Sequence, residues 1–72
     1  MNSLIQFSQR LKELRIEKQL SQAELADLLS TGQSSISAWE RGDREPLAHQ
    51  LVDLAGVFEC SVDYLLGISD IK

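Results

Sequence analysis

The sequence predicts an all-α fold, a compact bundle of five short helices in a single domain. Its apolar residues recur at intervals of three and four, and serine caps precede two of these repeats. No segment alternates between apolar and polar residues as a half-buried strand does. With 72 residues, 43 % of them hydrophobic, the chain can form one domain with a core but not two.

The first two helices follow from an apolar stripe and a cap. Between residues 3 and 18, the apolar positions lie on one helical face: Leu4, Phe7, Leu11 and Leu14. Ser21 precedes Glu24 by three residues, the capping-box pattern in which each side chain accepts a hydrogen bond from the backbone N–H of the other. A second helix is predicted from about residue 22 to 29, with three residues turned inward: Leu25, Ala26 and Leu29.

A third helix follows after a break of only about three residues. Ile36 and Trp39 define its inward face, and Gly42 is suited to a left-handed cap. The same helix contains a tract without charge, of which four residues can point outward: Gln33, Ser34, Ser37 and Ala38.

Two further helices complete the predicted bundle. The fourth begins near Pro46, which suits a first helical turn, and is defined by five apolar residues: Leu51, Val52, Leu54, Ala55 and Phe58. The fifth is capped by Ser61, stopped by Gly67 and defined by Val62, Leu65 and Leu66. Residues 68–72 remain as a short tail.

Composition argues against several classes of protein. Cys60 is the only cysteine and His49 the only histidine, so neither an intramolecular disulfide nor a zinc site is expected, and we predict no metal and no cofactor. No secretory signal and no apolar run of membrane-spanning length is visible, which predicts a soluble intracellular protein without membrane contact. No nucleophile, base and oxyanion-stabilising set can be assembled, so we expect neither an enzyme nor a small-molecule substrate.

The formal net charge of −4 is unevenly distributed. Residues 1–45 hold six of the seven basic residues against seven acidic ones, whereas residues 46–72 hold four acidic residues and one basic residue. The total charge opposes bulk attraction to nucleic acid, but the nearly balanced N-terminal part can still present a locally basic face.

The second and third helices have the geometry of a helix-turn-helix, at about residues 21–41. Two short helices joined by a turn of three or four residues can place the second helix in the major groove of DNA. A helix pressed against base edges benefits from short donors and acceptors on its outer side, which the glutamine and serines of the third helix supply. This tract is therefore the predicted base-reading surface.

Several segments resemble one known family. RLKELR, LSQAELADLL, SSISAWERG and VDYLLG, in this order and spacing, resemble the Cro/repressor-type (XRE-like) helix-turn-helix domain of temperate phages and bacteria over about residues 7–67. The resemblance implies a lambda-repressor-like arrangement of the helices. It also implies a small Cro-like or repressor-like regulator in the cytoplasm of a bacterium or phage-infected host, with a double-stranded DNA operator as its partner.

The resemblance also assigns roles to individual residues. It implies that Gln22 contacts a phosphate and braces the third helix, and that Arg15 on the first helix pairs with Glu40. The first outward residues of the third helix, Gln33 and Ser34, would read bases. Ser37 and Ala38 would face the groove one turn later, and Ser35 is included among the candidate DNA contacts.

This sequence departs from the family pattern at three places. Ser30 stands where the family prefers glycine, at a turn that often needs a positive φ, and Gly32 replaces the usual capping serine before the third helix. No basic residue lies between Lys18 and Arg41, so we expect a modest affinity for DNA.

Other polar and aromatic residues allow two interpretations. Arg41 and Arg44 are candidate phosphate contacts, Arg44 being favoured, although the segment ERGDRE could instead pair its charges internally. Trp39 and Tyr64 could stack on bases, but both fall on apolar stripes, which favours core packing. Cys60 is expected to be a buried thiol and His49 a surface residue.

Two hypotheses of function stay open. The first is a sequence-specific DNA-binding regulator that docks as a two-fold pair. Since the chain ends after the fifth helix, pairing would have to use the domain itself, through Val57, Phe58, Tyr64 or residues 68–71. The second is a modulator or anti-repressor that binds a partner repressor protein, which the acidic balance and the uncharged third helix would suit.

Overall fold

The computed structural model describes the backbone of residues 3–72 and the side chains of residues 6–72. Five helices follow one another along the chain: α1 (Ser3–Glu17), α2 (Gln22–Leu28), α3 (Gln33–Arg41), α4 (Ala48–Phe58) and α5 (Val62–Leu66). Residues 3–72 contain no strand. The predicted all-α class and all five predicted helices are confirmed.

Serine side chains begin two of the helices, as predicted. The Ser21 hydroxyl accepts from the Glu24 backbone N–H at 3.0 Å, while the Ser21 N–H donates to the Glu24 carboxylate at 2.8 Å. The Ser61 hydroxyl accepts from the Tyr64 N–H at 3.0 Å. Gly32 caps α3 without any side-chain hydrogen bond.

The start of α4 corrects the prediction. The helix begins at Ala48 rather than near Pro46, because Leu47 is extended, with φ −72° and ψ 161°, and serves as the N-cap. The backbone N–H of Leu47 donates to the Gln50 side-chain oxygen at 2.8 Å, so this N–H has a hydrogen-bond partner although it lies before the first residue of the helix. Pro46 therefore lies one residue before the cap.

All five helices are followed, within two residues of their last residue, by a residue with positive φ. These residues are Gln19, Ser30, Gly42, Glu59 and Gly67, with φ between 54° and 82°. After each one, a backbone N–H reaches back five residues to a helix carbonyl, as in Thr31 to Ala26 at 2.9 Å and Asp43 to Ala38 at 2.9 Å. The positive φ expected at Ser30 is confirmed, at 55°.

The core lies where α1 meets α3 and α5, with α2 packed on α3 and α4 packed on α5. Ten buried side chains form one cluster: Phe7, Leu11, Leu14, Leu25, Ala26, Ile36, Trp39, Leu54, Phe58 and Leu65. The predicted stripe of α1 is confirmed at three positions, and its fourth member, Leu4, lies outside the residues whose side chains are described. The inward positions of Ile36 and Trp39 are confirmed.

Two close contacts fix α1 against its neighbours. The buried Ser8 hydroxyl donates to the Trp39 carbonyl at 2.6 Å, which joins α1 to α3. At the end of α5, a Cβ atom on Gly67 would lie 2.7 Å from the Cβ of Gln6, so the backbone of α5 approaches α1 closely.

Cys60 lies between α4 and α5 and is half-buried, packed against the core. Burial raises the pKa of its thiol above the ordinary value. The expectation of a buried thiol is therefore met in part, since some of the side chain reaches solvent.

Candidate nucleic-acid interface

The turn between α2 and α3 holds the two helices in fixed relation. Ser30, at positive φ, lies in the turn after α2, and the chain continues to Gly32, the N-cap of α3, which is extended with ψ 152°. Residues 29–32 thus form a four-residue turn, and α2 packs directly on α3. This is the geometry of a helix-turn-helix motif.

Fewer residues of α3 face outward than the sequence predicts. Gln33 and Ser34 are exposed, and Ser35 and Ser37 are half-buried. Ala38 is buried, with 5 % of its surface exposed, so its predicted outward position is wrong. Its side chain is a single methyl group, and the chain turns back beside it at Gly42, where the Asp43 N–H donates to the Ala38 carbonyl.

A buried ion pair supports this surface from behind. Arg15 on α1 donates to both carboxylate oxygens of Glu40 on α3, from Nε at 2.6 Å and from Nη2 at 3.1 Å. The two side chains are 14 % and 5 % exposed, and Arg15 also donates to the Leu20 carbonyl at 2.8 Å. The hydrogen bond to Glu40 raises the pKa of Arg15. The pair implied by the family resemblance is confirmed.

The side chain of Gln22 connects Glu40 to Gln33, the first residue of α3. Its side-chain Nε2 donates to Glu40 at 3.1 Å, and its Oε1 accepts from Gln33 Nε2 at 3.4 Å. These contacts connect Arg15, Glu40, Gln22 and Gln33 in sequence, a chain that we call the glutamine relay. The predicted brace between Gln22 and α3 is therefore present.

The relay fixes how the Gln33 amide is presented. Because one N–H of Gln33 donates to Gln22, the other N–H and the carbonyl oxygen are left for a ligand. The residue is exposed, so both groups can be reached from outside. One donor and one acceptor on a planar amide match the donor and acceptor that adenine shows in the major groove.

The two arginines at the end of α3 differ in their contacts. Arg41 donates from Nε to the Asp43 carboxylate at 2.8 Å and from Nη1 to the Ser37 hydroxyl. Arg44 is exposed and forms no ion pair within residues 3–72. The internal pairing considered for the segment ERGDRE thus exists for Arg41 and not for Arg44.

The residues expected to pair two copies are placed differently from one another. Phe58 is only 6 % exposed and belongs to the core, so its predicted role on a pairing surface is wrong, because its ring is needed inside. Val57 and Tyr64 are half-buried against the core. Ile68 and Ile71 are 68 % and 82 % exposed.

Arg10 holds the tail and was not singled out from the sequence. Its guanidinium donates to the Tyr64 and Ser69 carbonyls at 2.9 and 3.0 Å, pairs with Asp70 at 2.9 Å and lies 4.1 Å from the centre of the Tyr64 ring. The tail also accepts the Ser61 N–H at the Lys72 carbonyl, at 2.8 Å. The hydrogen bonds of Arg10 span 54 to 60 residues of sequence, so no local pattern could reveal them.

Neither a metal cluster nor a membrane-spanning segment is found in the described part of the chain. Residues 3–72 bring no three His, Cys, Asp or Glu side chains together in a way that could hold a metal ion. Over the same residues, every helix is too short or too polar to cross a bilayer. His49, the only histidine, is exposed.

Comparisons with known proteins agree with this geometry. A curated relative, the uncharacterized HTH-type transcriptional regulator YobD of Bacillus subtilis, is 36 % identical over 64 residues, which are 89 % of this chain and 57 % of the relative. The c2 repressor of Salmonella phage P22, solved in complex with a synthetic operator, is 32 % identical with a TM-score of 0.79, over 82 % of this chain and 89 % of that one.

The same fold also occurs as one part of an enzyme. Hydroxypropylphosphonic acid epoxidase from S. wedmorenis is 32 % identical with a TM-score of 0.77, over 85 % of this chain but 32 % of the epoxidase. The chain spans about half the length of three curated relatives that it matches. These relatives are transcriptional regulators.

The family model for the helix-turn-helix matches residues 11–65, from the middle of α1 to the last residue but one of α5. This range contains the whole glutamine relay. The resemblance to phage and bacterial regulators is confirmed, and the chain belongs to the helix-turn-helix family.

Proposed function

We propose that this chain is a sequence-specific double-stranded DNA-binding regulator of transcription, which places α3 in the major groove and α2 across the phosphates. The observation that carries the proposal is the glutamine relay, which presents an oriented amide at the exposed start of α3. The operator complex of the P22 c2 repressor, a relative of the same fold, supports it. Such a regulator acts in the bacterial cytoplasm, where its operator lies.

The residues of the proposed interface contact different parts of the DNA. Gln33 reads adenine through its free N–H and carbonyl, a contact worth about 1–3 kcal/mol of discrimination. Ser34 and Ser37 offer hydroxyls, with Ser35 at the half-buried margin. Gln22 keeps its second amide N–H for a phosphate, and Arg44 supplies a phosphate contact at the far end of α3. Two copies on adjacent half-sites would form the working unit.

The proposal includes no catalytic step. The curated relatives are regulators, and the epoxidase shares only about a third of its length with this fold. A helix-turn-helix can be one part of an enzyme, which leaves the reaction to the rest of that protein.

The direct test is the substitution Gln33→Ala. Binding is measured by fluorescence anisotropy on DNA flanking the protein's own gene and on a shuffled duplex, at two salt concentrations. Loss of the amide should weaken binding to the preferred sequence about 5- to 150-fold, the equivalent of 1–3 kcal/mol, with little change on the shuffled duplex. Gln9→Ala, which removes an exposed glutamine from α1, is the matched control and should bind as the unaltered chain does.

Charge favours one alternative function, a modulator that binds a partner repressor. Arg15 and Arg41 are both paired with carboxylates, so the surface of α3 is close to neutral and suits a protein partner as well as DNA. The same assay separates the two functions when the neighbouring repressor is added. Binding to DNA only in the presence of that repressor contradicts direct recognition and favours the modulator.

A further inference from the structure

Few basic side chains lie near α3, and two of them already form ion pairs. Arg41 is the only basic residue of α3, and no other lies between Lys18 and Arg41. Arg15 is committed to Glu40 inside the molecule, and Arg41 is committed to Asp43 at the surface. Among residues 3–72, Arg44 is thus left as the unpaired cation at this end of α3.

Arg41 lies where it could meet DNA if it were released. Gln33, Ser37 and Arg41 follow one another at intervals of four, so they form one row along α3. The guanidinium of Arg41 donates from Nη1 to the Ser37 hydroxyl, so it lies along the surface of α3. Its Nε donates to the Asp43 carboxylate. Both members of the ion pair are well exposed, at 59 % and 62 %, so a phosphate could compete for this guanidinium.

We propose that Asp43 is an affinity-setting residue, which occupies the guanidinium of Arg41 in place of a DNA phosphate. This inference rests on the proposed DNA-binding function and deepens it. A phosphate contact adds attraction that does not depend on sequence. By holding Arg41, Asp43 lowers this general attraction, and recognition depends more on the Gln33 amide and the serine hydroxyls.

The contact with Arg41 also changes what Ser37 can offer a ligand. Its oxygen accepts a hydrogen bond from Arg41, which leaves the hydroxyl hydrogen and one lone pair. While Arg41 is held in this way, Ser37 can still donate to an acceptor on a base edge or a phosphate.

The test compares Asp43→Asn with Glu45→Gln. Both remove one negative charge from the same loop, but the Glu45 carboxylate forms no ion pair within residues 3–72. Binding is measured on a 20-base-pair duplex of random sequence across a salt series. Asp43→Asn should bind about two- to five-fold tighter than Glu45→Gln, as expected for release of an exposed ion pair. Its salt dependence, the slope of log K against log salt, should be steeper by about 0.9 for one added phosphate contact.

The substitution Arg41→Ala completes the comparison. Combined with Arg41→Ala, Asp43→Asn should have no larger effect than Glu45→Gln, because no guanidinium remains to be released. Equal binding by Asp43→Asn and Glu45→Gln, or an undiminished effect of Asp43→Asn with Arg41→Ala, would contradict the inference while leaving the proposed function standing. Absence of salt-sensitive binding by every variant would contradict both.

The free protein offers a check that needs no DNA. In a ¹⁵N NMR spectrum, the Nε proton of Arg41 should exchange slowly in the unaltered chain and in Glu45→Gln, and faster in Asp43→Asn. Equally fast exchange in all three would show that the ion pair is not populated and would overturn the inference. Circular dichroism checks that each variant keeps its helices. Asp43→Asn should keep them, because the Asp43 N–H that donates to the Ala38 carbonyl belongs to the backbone.

Discussion

Two parts of the molecule are fastened to α1 by an arginine, and the two arginines use different partners. Arg15 ties α3 to α1 through Glu40, whose side chain is 5 % exposed. Arg10 ties α5 and the tail to α1 mainly through the carbonyls of Tyr64 and Ser69, and the one carboxylate it meets, Asp70, is 98 % exposed. Arg15 thus anchors the helix-turn-helix through a paired, nearly buried charge, whereas Arg10 holds the tail mainly through neutral acceptors. The charged contacts of the tail, from Arg10 to Asp70 and from Lys72 to Glu17, are with well-exposed carboxylates.

This difference determines how much the free energy of unfolding falls when the contacts of each arginine are removed. A buried carboxylate that loses its partner keeps the full penalty of its desolvation. A part-buried backbone carbonyl carries no net charge, so the loss of its donor costs less than the loss of a partner by a buried carboxylate. The anchor of α3 should therefore be more sensitive to substitution than that of the tail, although both arginines make several hydrogen bonds.

The largest effect is expected for Arg15→Ala. The substitution leaves Glu40 charged and nearly buried, and it should lower the free energy of unfolding by about 3 kcal/mol, measured by urea denaturation. It also removes the support of the relay, so affinity for DNA should fall. The pair Arg15→Met with Glu40→Leu is the control, because it removes both charges and should cost much less. Equal loss in the single and double variants would show that packing, rather than charge, anchors α3.

A smaller effect is expected for Arg10→Ala, about 1–2 kcal/mol, from the loss of two carbonyl hydrogen bonds and of the contact with the Tyr64 ring. Asp70→Asn should leave the free energy of unfolding almost unchanged, since this carboxylate is at the surface. Thermal denaturation measures both. If Asp70→Asn cost as much as Arg10→Ala, the tail would depend on charge after all, and the comparison would fail.

The smallest effect concerns pH at the start of α2. Hydrogen bonds from Ser21, the backbone N–H foremost, lower the pKa of Glu24. A carboxyl whose pKa is lower in the folded state stabilises the fold above its unfolded pKa of about 4.3, and this contribution is lost as the pH falls through the folded value. The variant Glu24→Gln should show a weaker loss of melting temperature below about pH 4.3. If the melting temperatures of the two chains fell equally at low pH, the capping box would not be the source of the pH-dependent stability.

The cap of α5 meets the same requirement with a different partner. Ser61 also begins a helix, but its backbone N–H donates to a main-chain oxygen of Lys72. The backbone N–H of the capping serine is thus paired by a nearby carboxylate side chain in α2 and by the tail in α5.

Local patterns were sufficient to predict the helices, because stripes and caps act within a few residues. The capping box at Ser21 and the glycine ends at 42 and 67 appear as predicted. The start of α4 was missed by two residues, since the bond from Leu47 to the Gln50 side chain competes with the helix-starting tendency of Pro46.

The site was only partly predictable. The family resemblance implied the pair of Arg15 and Glu40 and the brace from Gln22, and both are present. The burial of Ala38 was missed because it depends on where the chain runs after Gly42. The role of Arg10 was missed because its partners lie 54 to 60 residues away and are mostly backbone atoms, which carry no signature in a sequence.

The close approach of α5 to α1 limits which residues this fold can accept over evolutionary time. Gly42 and Gly67 both have positive φ, which asparagine can also adopt at moderate cost. At Gly67 the space is taken as well, since any added side chain would meet Gln6. Genetic drift can therefore exchange Gly42 for a small polar residue, whereas replacement of Gly67 requires α5 to separate from α1.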